Sequence, residues 1–289
     1  MTDAPVSRRL RLGTGLAYHV LEWPAESDHT VLLLHGFLDI AWTWAPVVRA
    51  GLAGRFHIVA PDLRGHGDSD RVGAGGYYHF MDYLADVHEL VGQVARARLS
   101  LVGHSMGGSV ASYYAGSYPD RIHRLALLEG TGPPEMPMPL PDRVRVWIDS
   151  WRRIRDKPSR GHADLAEAAA QLRKHDRLLS EELALEMAGH GTVRGDDGRL
   201  RFKHDPLHAT MGPYPFRVDV AEQFWNRVTC PVLLVDGGES GFRHAAAEAA
   251  RRTAAFAHAD SRTLPGAGHM MTRHQPAALA EMLGGFLAS

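Results

Sequence analysis

Cysteine is nearly absent: the 289 residues contain one, Cys230. That excludes an intrachain disulfide, a cysteine-based zinc site and a CxxC redox pair. Long apolar runs are missing too. Stretches such as Val31 to Leu34 and Val232 to Val235 fall far short of the about 18 residues a membrane span needs. The first residues, MTDAPVSRRLRLG, carry no apolar core of a signal peptide. The expectation is a soluble, cytoplasmic protein. Nor is there an excess of one charge: Lys plus Arg is 32, Asp plus Glu is 33, and the formal net charge is −1. Nucleic-acid binding rests on a basic surface that neutralises phosphates, so no nucleic-acid partner is expected. Lysine is scarce as well, with only Lys157, Lys174 and Lys203 among the 32 basic residues. No G-x-G-x-x-G or Walker sequence calls for a nucleotide, and no cofactor is expected.

The residues that are present describe a globular chain, 45% apolar and long enough to bury a core without staples. Short apolar runs at Thr30–Leu34, Phe56–Ala60, Leu99–Val102 and Leu125–Leu128 suit strands buried on both faces of a parallel sheet. Leu16–Trp23 reads as a further strand. Helical patterns at Trp42–Ala53, Met81–Arg96 and Met106–Tyr118 alternate with them, and that alternation implies an α/β fold. The pattern changes after Gly130. Residues 131–141 carry five prolines, which cannot continue a helix interior or a central strand. Helical stretches follow at Val144–Arg155, Ala163–His175 and Ser180–Ala188, then a turn-rich segment over 189–215. Strand character returns at Val232–Val235 and Ser261–Leu264, and a last helix is expected over Pro276–Leu287. Residues 131–228 therefore read as a helical cap inserted into a discontinuous core, 1–130 plus 229–289. Cys230 sits where the chain re-enters that core and reads as a buried packing residue. The basic-leaning stretch 143–160 reads as a solvated helix face.

The strongest chemical signal is Gly103-His104-Ser105-Met106-Gly107-Gly108. It fits G-x-S-x-G, follows an apolar strand and opens a helix, which is the context this motif requires. Gly103 and Gly107 keep the flanks of a sharp turn free of side chains. The Ser105 hydroxyl is thereby lifted clear of the sheet as a nucleophile. The Met106 N–H sits at a helix N-terminus, placed to stabilise an oxyanion. A serine needs a base. Among eighteen histidines, His269 stands apart in the loop Gly266-Ala-Gly-His269, after the last strand and before the last helix. His104 reads as a packing residue of the turn. Phe37, after the strand Val31–Leu34, offers the second oxyanion N–H from a loop at the carboxyl edge, where open α/β sheets bind ligands. His35 reads as a brace of that loop, and Asp39 as the cap of the helix that follows. Residues 62–67 read as a bracing turn. His204 and His208 have i,i+4 spacing, but Pro206 breaks any helix between them, so no metal site is expected. Trp147 and Trp151 are candidates to line a substrate pocket, although packing of the cap onto the core is the favoured role.

These segments, HGFLDIAWTW at 35–44, PDLRGHGDSD at 61–70, GHSMGG at 103–108 and GAGH at 266–269, occur in the order and spacing of the α/β-hydrolase superfamily, which the chain resembles. With YYHFMDYLADV and LLEGTGPP it is similar to serine-hydrolase-like proteins within it. The resemblance implies a mostly parallel central sheet with helices on both faces, an inserted helical cap and a Ser–His–acid triad. The acid departs from the common pattern. The usual positions, in the loop after Val232–Val235, fall on Ser240 or Gly241, neither of which is a carboxylate. Some members take the acid from the end of the preceding strand, which is Glu129 here. Glu129 is favoured, with Glu239 and Asp236 as alternatives. The expected activity is cleavage of a small or medium carboxylic ester, with a small molecule as the partner. C–C bond hydrolysis uses the same triad and stays open, as does a noncatalytic ligand-binding role. Nothing in the sequence fixes the oligomeric state. Dehalogenase and epoxide hydrolase chemistry is disfavoured, because those relatives carry Asp where Ser105 stands.

Overall fold

The computed structural model of the chain describes residues 4–156 and 160–289; Lys157, in the basic stretch 143–160, lies outside them. The chain begins with an antiparallel pair, β1 (Val6–Arg11) and β2 (Ala17–Trp23), followed by β3 (His29–Leu34). A broken helical segment comes next: a 3-10 turn at Ala41–Trp44, α1 (Ala45–Val47) and a π turn at Val48–Leu52. The continuous helix expected over Trp42–Ala53 does not form. Pro46 has no N–H to give the Trp42 carbonyl four residues back, and Gly51 leaves helical backbone geometry. The chain then runs through β4 (His57–Pro61), α2 (Phe80–Val94), β5 (Arg98–His104), α3 (Met106–Ser117) and β6 (Arg124–Leu128).

Between β6 and the next core strand lie α4 (Leu140–Asp156), α5 (Leu165–His175), α6 (Glu181–Gly191), the hairpin β7 (Thr192–Arg194) and β8 (Leu200–Phe202), and α7 (Val218–Trp225). The core closes with β9 (Val232–Gly237), α8 (Ala246–Ala254), β10 (Ala259–Leu264), α9 (Met271–His274) and α10 (Pro276–Ala288). Helix α4 starts four residues before the expected Val144. Pro141 lies in its first turn, where a missing N–H costs nothing.

Eight strands form one sheet in the order β1-β2-β4-β3-β5-β6-β9-β10. From β4 to β10 the pairings are parallel, and β1 and β2 are antiparallel. Side-chain alternation along the central strands builds two cores. Leu32, Leu34, Leu101, Leu125 and Leu127 pack with Val87, Val110 and Trp225 on one face. Val31, Leu33, Val102, Leu128 and Val235 pack with Trp44, Leu52 and Leu283 on the other. Burying each such side chain contributes about 1.5–3 kcal/mol.

Helix α7 belongs to the first of these cores. Its Val218, Ala221 and Trp225 are buried there beside Cys230, and Trp225 Nε1 donates to Ser112 Oγ of α3 at 3.0 Å. The segment before it has a small apolar cluster of its own, Ala168, Ala169, Leu179, Ala184 and Ala188.

The register sets where the site will be. Leu34 pairs with Gly103, His104 with Leu128, and Leu128 with Val235. The carboxyl ends of β3, β5, β6 and β9 are therefore level. The chain order reverses at β3, with β4 on one side and β5 on the other, which opens a crevice beyond the strand ends.

Candidate active site

Three non-glycine residues among those described have positive φ: Leu38 (59°), Ser105 (51°) and Glu129 (44°). All three lie just past the carboxyl ends of β3, β5 and β6. Such backbone costs about 1–3 kcal/mol per residue and persists only where the surroundings enforce it. At Ser105 the enforcement is visible in the glycines. A Cβ on Gly103 would lie 2.4 Å from the Gly107 carbonyl oxygen, and one on Gly107 would lie 2.3 Å from that of Leu34. Only glycine lets β5 double back into α3 against β3. A Cβ on Gly36 would lie 3.3 Å from Ser105 Cβ, so the loop after β3 rests directly on the Ser105 turn.

The turn brings three of the sequence candidates together. His269 Nε2 is 3.1 Å from Ser105 Oγ, and His269 Nδ1 is 2.5 Å from Glu129 Oε2. Glu129 is buried. Its Oε1 accepts the Gly237 N–H at 2.9 Å, and its Oε2 accepts the Ser240 hydroxyl at 2.9 Å. Burial raises the Glu129 carboxyl, but the hydrogen bonds from His269, Gly237 and Ser240, with the charge of His269, outweigh it and hold the group below the ordinary range. An ionised Glu129 only accepts. His269 Nδ1 must then carry the proton toward it, which leaves Nε2 as the acceptor facing the Ser105 hydroxyl.

The two alternative acids are placed otherwise. Glu239 is exposed, and its carboxylate has no hydrogen bond among the described residues; its backbone N–H donates to the Ala267 carbonyl at 2.8 Å. Asp236 lies at the end of β9. Desolvation and the neighbouring charge of Glu129 raise its carboxyl above the ordinary value.

Sequence reasoning missed Ser240 and Gly237 as partners of Glu129. The signal for Ser240 was present, since it stands where the common family acid falls. Ser240 Oγ also accepts the Phe242 N–H at 3.1 Å, which fixes its proton on Glu129. The Phe242 ring lies 4.7 Å from the His269 ring.

The Met106 N–H opens α3, and the Phe37 N–H sits in the loop against Ser105. Neither has an acceptor among the described residues. His104 is buried, and its Nε2 donates to the His269 carbonyl at 2.7 Å. Burial, reinforced by the charge of His269, lowers His104 to about 4. His35 braces its loop, with Nδ1 on the Gly36 carbonyl at 2.7 Å and Nε2 accepting the Leu63 N–H at 2.9 Å.

Asp39 is a correction: it does not cap the following helical segment. Its Oδ1 accepts from Arg273 Nη2 at 2.5 Å, forming a buried ion pair. The N–H of Ala41 goes instead to Asp62 Oδ1 at 2.7 Å, because the turn at 62–67 brings that carboxylate closer. Asp62 also meets His19 at 2.7 Å and the Asp68 N–H at 2.9 Å. His19, Asp62 and Asp68 are the group among the described residues whose ligand atoms approach within 4.8 Å; His19 and Asp62 engage each other, and the Asp68 carboxylate accepts from Lys203 Nζ at 2.8 Å. His204 stacks on Phe202, while His208 lies between His66 and Tyr78, at 4.1 and 4.0 Å. Trp147 and Trp151 each pack on Tyr77 at 5.3 Å, joining α4 to the loop before α2.

No described helix is long and apolar enough to cross a membrane. The family profile described as the alpha/beta hydrolase family matches residues 31–282. A serine hydrolase-like protein of Dictyostelium discoideum is 25% identical over 239 residues, covering 80% of this chain and 66% of that one. A soluble epoxide hydrolase of a Corynebacterium is 38% identical over 105 residues, 36% of each chain. The first curated relatives are matched over only about a third of their own length, 31% to 36%. Among solved structures, a thioesterase domain from the curacin biosynthetic pathway superposes with a TM-score of 0.84 at 26% identity, covering 97% of this chain and 99% of that one.

Proposed function

The chain belongs to the alpha/beta hydrolase family, and from that premise we propose that it is a serine hydrolase that cleaves a small or medium carboxylic ester through an acyl-enzyme. Its fold is the α/β-hydrolase fold, an eight-stranded, mostly parallel sheet with an inserted helical region. The observation that carries the reading is the continuous chain of contacts Ser105–His269–Glu129, at 3.1 and 2.5 Å.

In this reading Ser105 Oγ attacks the acyl carbonyl while His269 Nε2 takes its proton. Glu129 stabilises the imidazolium that forms. The negative charge on the former carbonyl oxygen is held by the N–H groups of Phe37 and Met106, each worth about 2.7–4 kcal/mol in the transition state. His269 then protonates the departing alkoxide. Water, deprotonated by His269, attacks the acyl-enzyme and returns Ser105. Residues 131–228 serve as the cap over a core of 1–130 and 229–289, with α7 as its docked return and the segment before α7 as the lid. Within that lid, Trp147 and Trp151 are the candidate substrate contacts.

A thioester is the second reading, favoured by the likeness to the curacin thioesterase domain. It uses the same acyl-enzyme and differs only in the leaving group. A panel of p-nitrophenyl esters of rising chain length, run beside acyl thioesters and a vinylogous diketone, tests these readings. Turnover of the esters with a chain-length optimum is expected. Cleavage of the diketone alone would move the assignment to C–C hydrolysis, and turnover of none would favour a binding protein.

A further inference from the structure

The backbone on the two sides of His269 is held by two different parts of the molecule. On the C-terminal side the His269 carbonyl accepts from His104 of β5 at 2.7 Å, a contact inside the core. On the N-terminal side the Gly268 N–H donates to His274 Nδ1 at 3.0 Å. His274 Nε2 in turn lies 2.6 Å from Asp176 Oδ1, and Asp176 belongs to the inserted region, at the end of α5. Both side chains of this pair are almost buried, 3% and 9% exposed.

Each partner is anchored on its own side. Asp176 opens a tight turn in which its carbonyl accepts the Leu179 N–H at 3.2 Å, and Leu179 sits in the apolar cluster of the insertion. His274 ends α9, which the Arg273–Asp39 ion pair and a 3.1 Å Thr272–Thr43 contact fasten to the core. A Cβ on Gly268 would lie 3.2 Å from His274 Cε1 and 3.3 Å from Leu178 Cδ1. The His269 loop, His274 and the turn of the insertion are therefore in direct contact.

We propose that Asp176 and His274 are a positioning pair through which the cap holds the loop that carries His269, so that alignment of the imidazole depends on how the cap is seated. The inference rests on His269 being the base of the proposed hydrolase. Its cause is a choice of tautomer. To accept the Gly268 N–H, His274 Nδ1 must be unprotonated, and Asp176 selects that form by taking the Nε2 proton. When the cap lifts, Asp176 leaves. The other tautomer then competes, and it sets an N–H against the Gly268 N–H. The loop then loses its hold at Gly268, next to the base, while the Ala267 carbonyl keeps the Glu239 N–H at 2.8 Å, and Nε2 of His269 is held less firmly against Ser105. A seated cap thus completes the site around a bound substrate.

The test compares Asp176→Ala with Asp176→Asn. Asp176 Oδ2 has no partner among the described residues, so an asparagine can place its NH2 there and keep the acceptor for His274. For Asp176→Ala we expect kcat on a p-nitrophenyl ester to fall about tenfold with KM within about twofold, the scale of losing one hydrogen bond to a buried charged group. Amide exchange over 266–270 should rise about tenfold while exchange in β5 stays unchanged. Asp176→Asn should retain kcat within about threefold. The proposal is overturned if Asp176→Ala turns over and exchanges like the wild type, or if exchange rises throughout the chain. It is overturned equally if the asparagine variant falls as far as the alanine. Exchange reads the clamp without any substrate. A wild type that hydrolyses no ester, with the exchange pattern as expected, would sink the ester reading and leave the clamp standing.

Discussion

Replacing Glu129 by glutamine changes one oxygen to an amide and should abolish most of the activity. Three donors converge on this carboxylate: the Gly237 N–H, the Ser240 hydroxyl and His269 Nδ1. A carboxylate accepts all three, whereas a glutamine has one accepting oxygen. If that oxygen stays with Gly237, the NH2 group faces His269. The ring must then turn its proton to Nε2, where it can no longer take one from Ser105. If the oxygen goes to His269, the NH2 opposes the Gly237 N–H in a buried site, at about 1–3 kcal/mol for the unsatisfied donor. Either way the imidazolium loses its counter-charge. A wrong tautomer of this kind costs about 10^4 in kcat, or about 5 kcal/mol of barrier. The assay is initial-rate hydrolysis of a p-nitrophenyl ester by Glu129→Gln and by Glu239→Gln, with thermal unfolding to show that both fold. Glu239 is exposed, and its variant should stay within about twofold, as for a surface change away from the chemistry. A Glu129→Gln enzyme within about threefold of wild type, or a Glu239→Gln enzyme that falls as far, would refute the argument.

Three further outcomes follow from the same structure. Burial holds His104 and His208 down to about 4, against 6.5 in an unfolded chain. The unfolded state therefore binds protons first, and stability should fall as pH drops from 6.5 to about 4, by on the order of 3 kcal/mol for each group. Denaturant midpoints across that range check it; a flat profile contradicts it. Gly36→Ala places a Cβ 2.8 Å from His104 Nδ1 and 3.3 Å from Ser105 Cβ. It should lower kcat by about tenfold or more through displacement of the Phe37 N–H and cost about 1–3 kcal/mol from overpacking; unchanged kinetics would count against the oxyanion assignment. Arg273→Leu leaves Asp39 as an uncompensated buried charge. Urea unfolding should show a loss of about 3–5 kcal/mol, partly recovered in Arg273→Leu with Asp39→Leu.

The parallel centre of the sheet was legible because its strands are uninterrupted apolar runs between turn residues. β1 was not, because Val6–Arg11 is mostly exposed and Arg-rich at the sheet edge. The hairpin β7–β8 has three-residue strands, too short for any period to show. The broken segment at 41–52 illustrates a local rule overridden, since its apolar spacing is helical while Pro46 and Gly51 interrupt the hydrogen bonding. At the site, Ser105, His269 and Glu129 could be named because short motifs and strand ends mark them. Asp39 was misread because its partner Arg273 is 234 positions away, and no local pattern encodes a contact of that range. The same holds for Asp176 and His274, 98 positions apart. Trp147 and Trp151 both rest on Tyr77, a contact across about 70 positions that no local spacing encodes.

The most direct test of the account is covalent labelling of the native protein by a fluorophosphonate, read by peptide mass spectrometry. The proposed chemistry requires one adduct, on Ser105, formed rapidly in the wild type and suppressed by about 10^3-fold or more in His269→Ala, where the hydroxyl has lost its base. Failure of Ser105 to label, or undiminished labelling without His269, would contradict it.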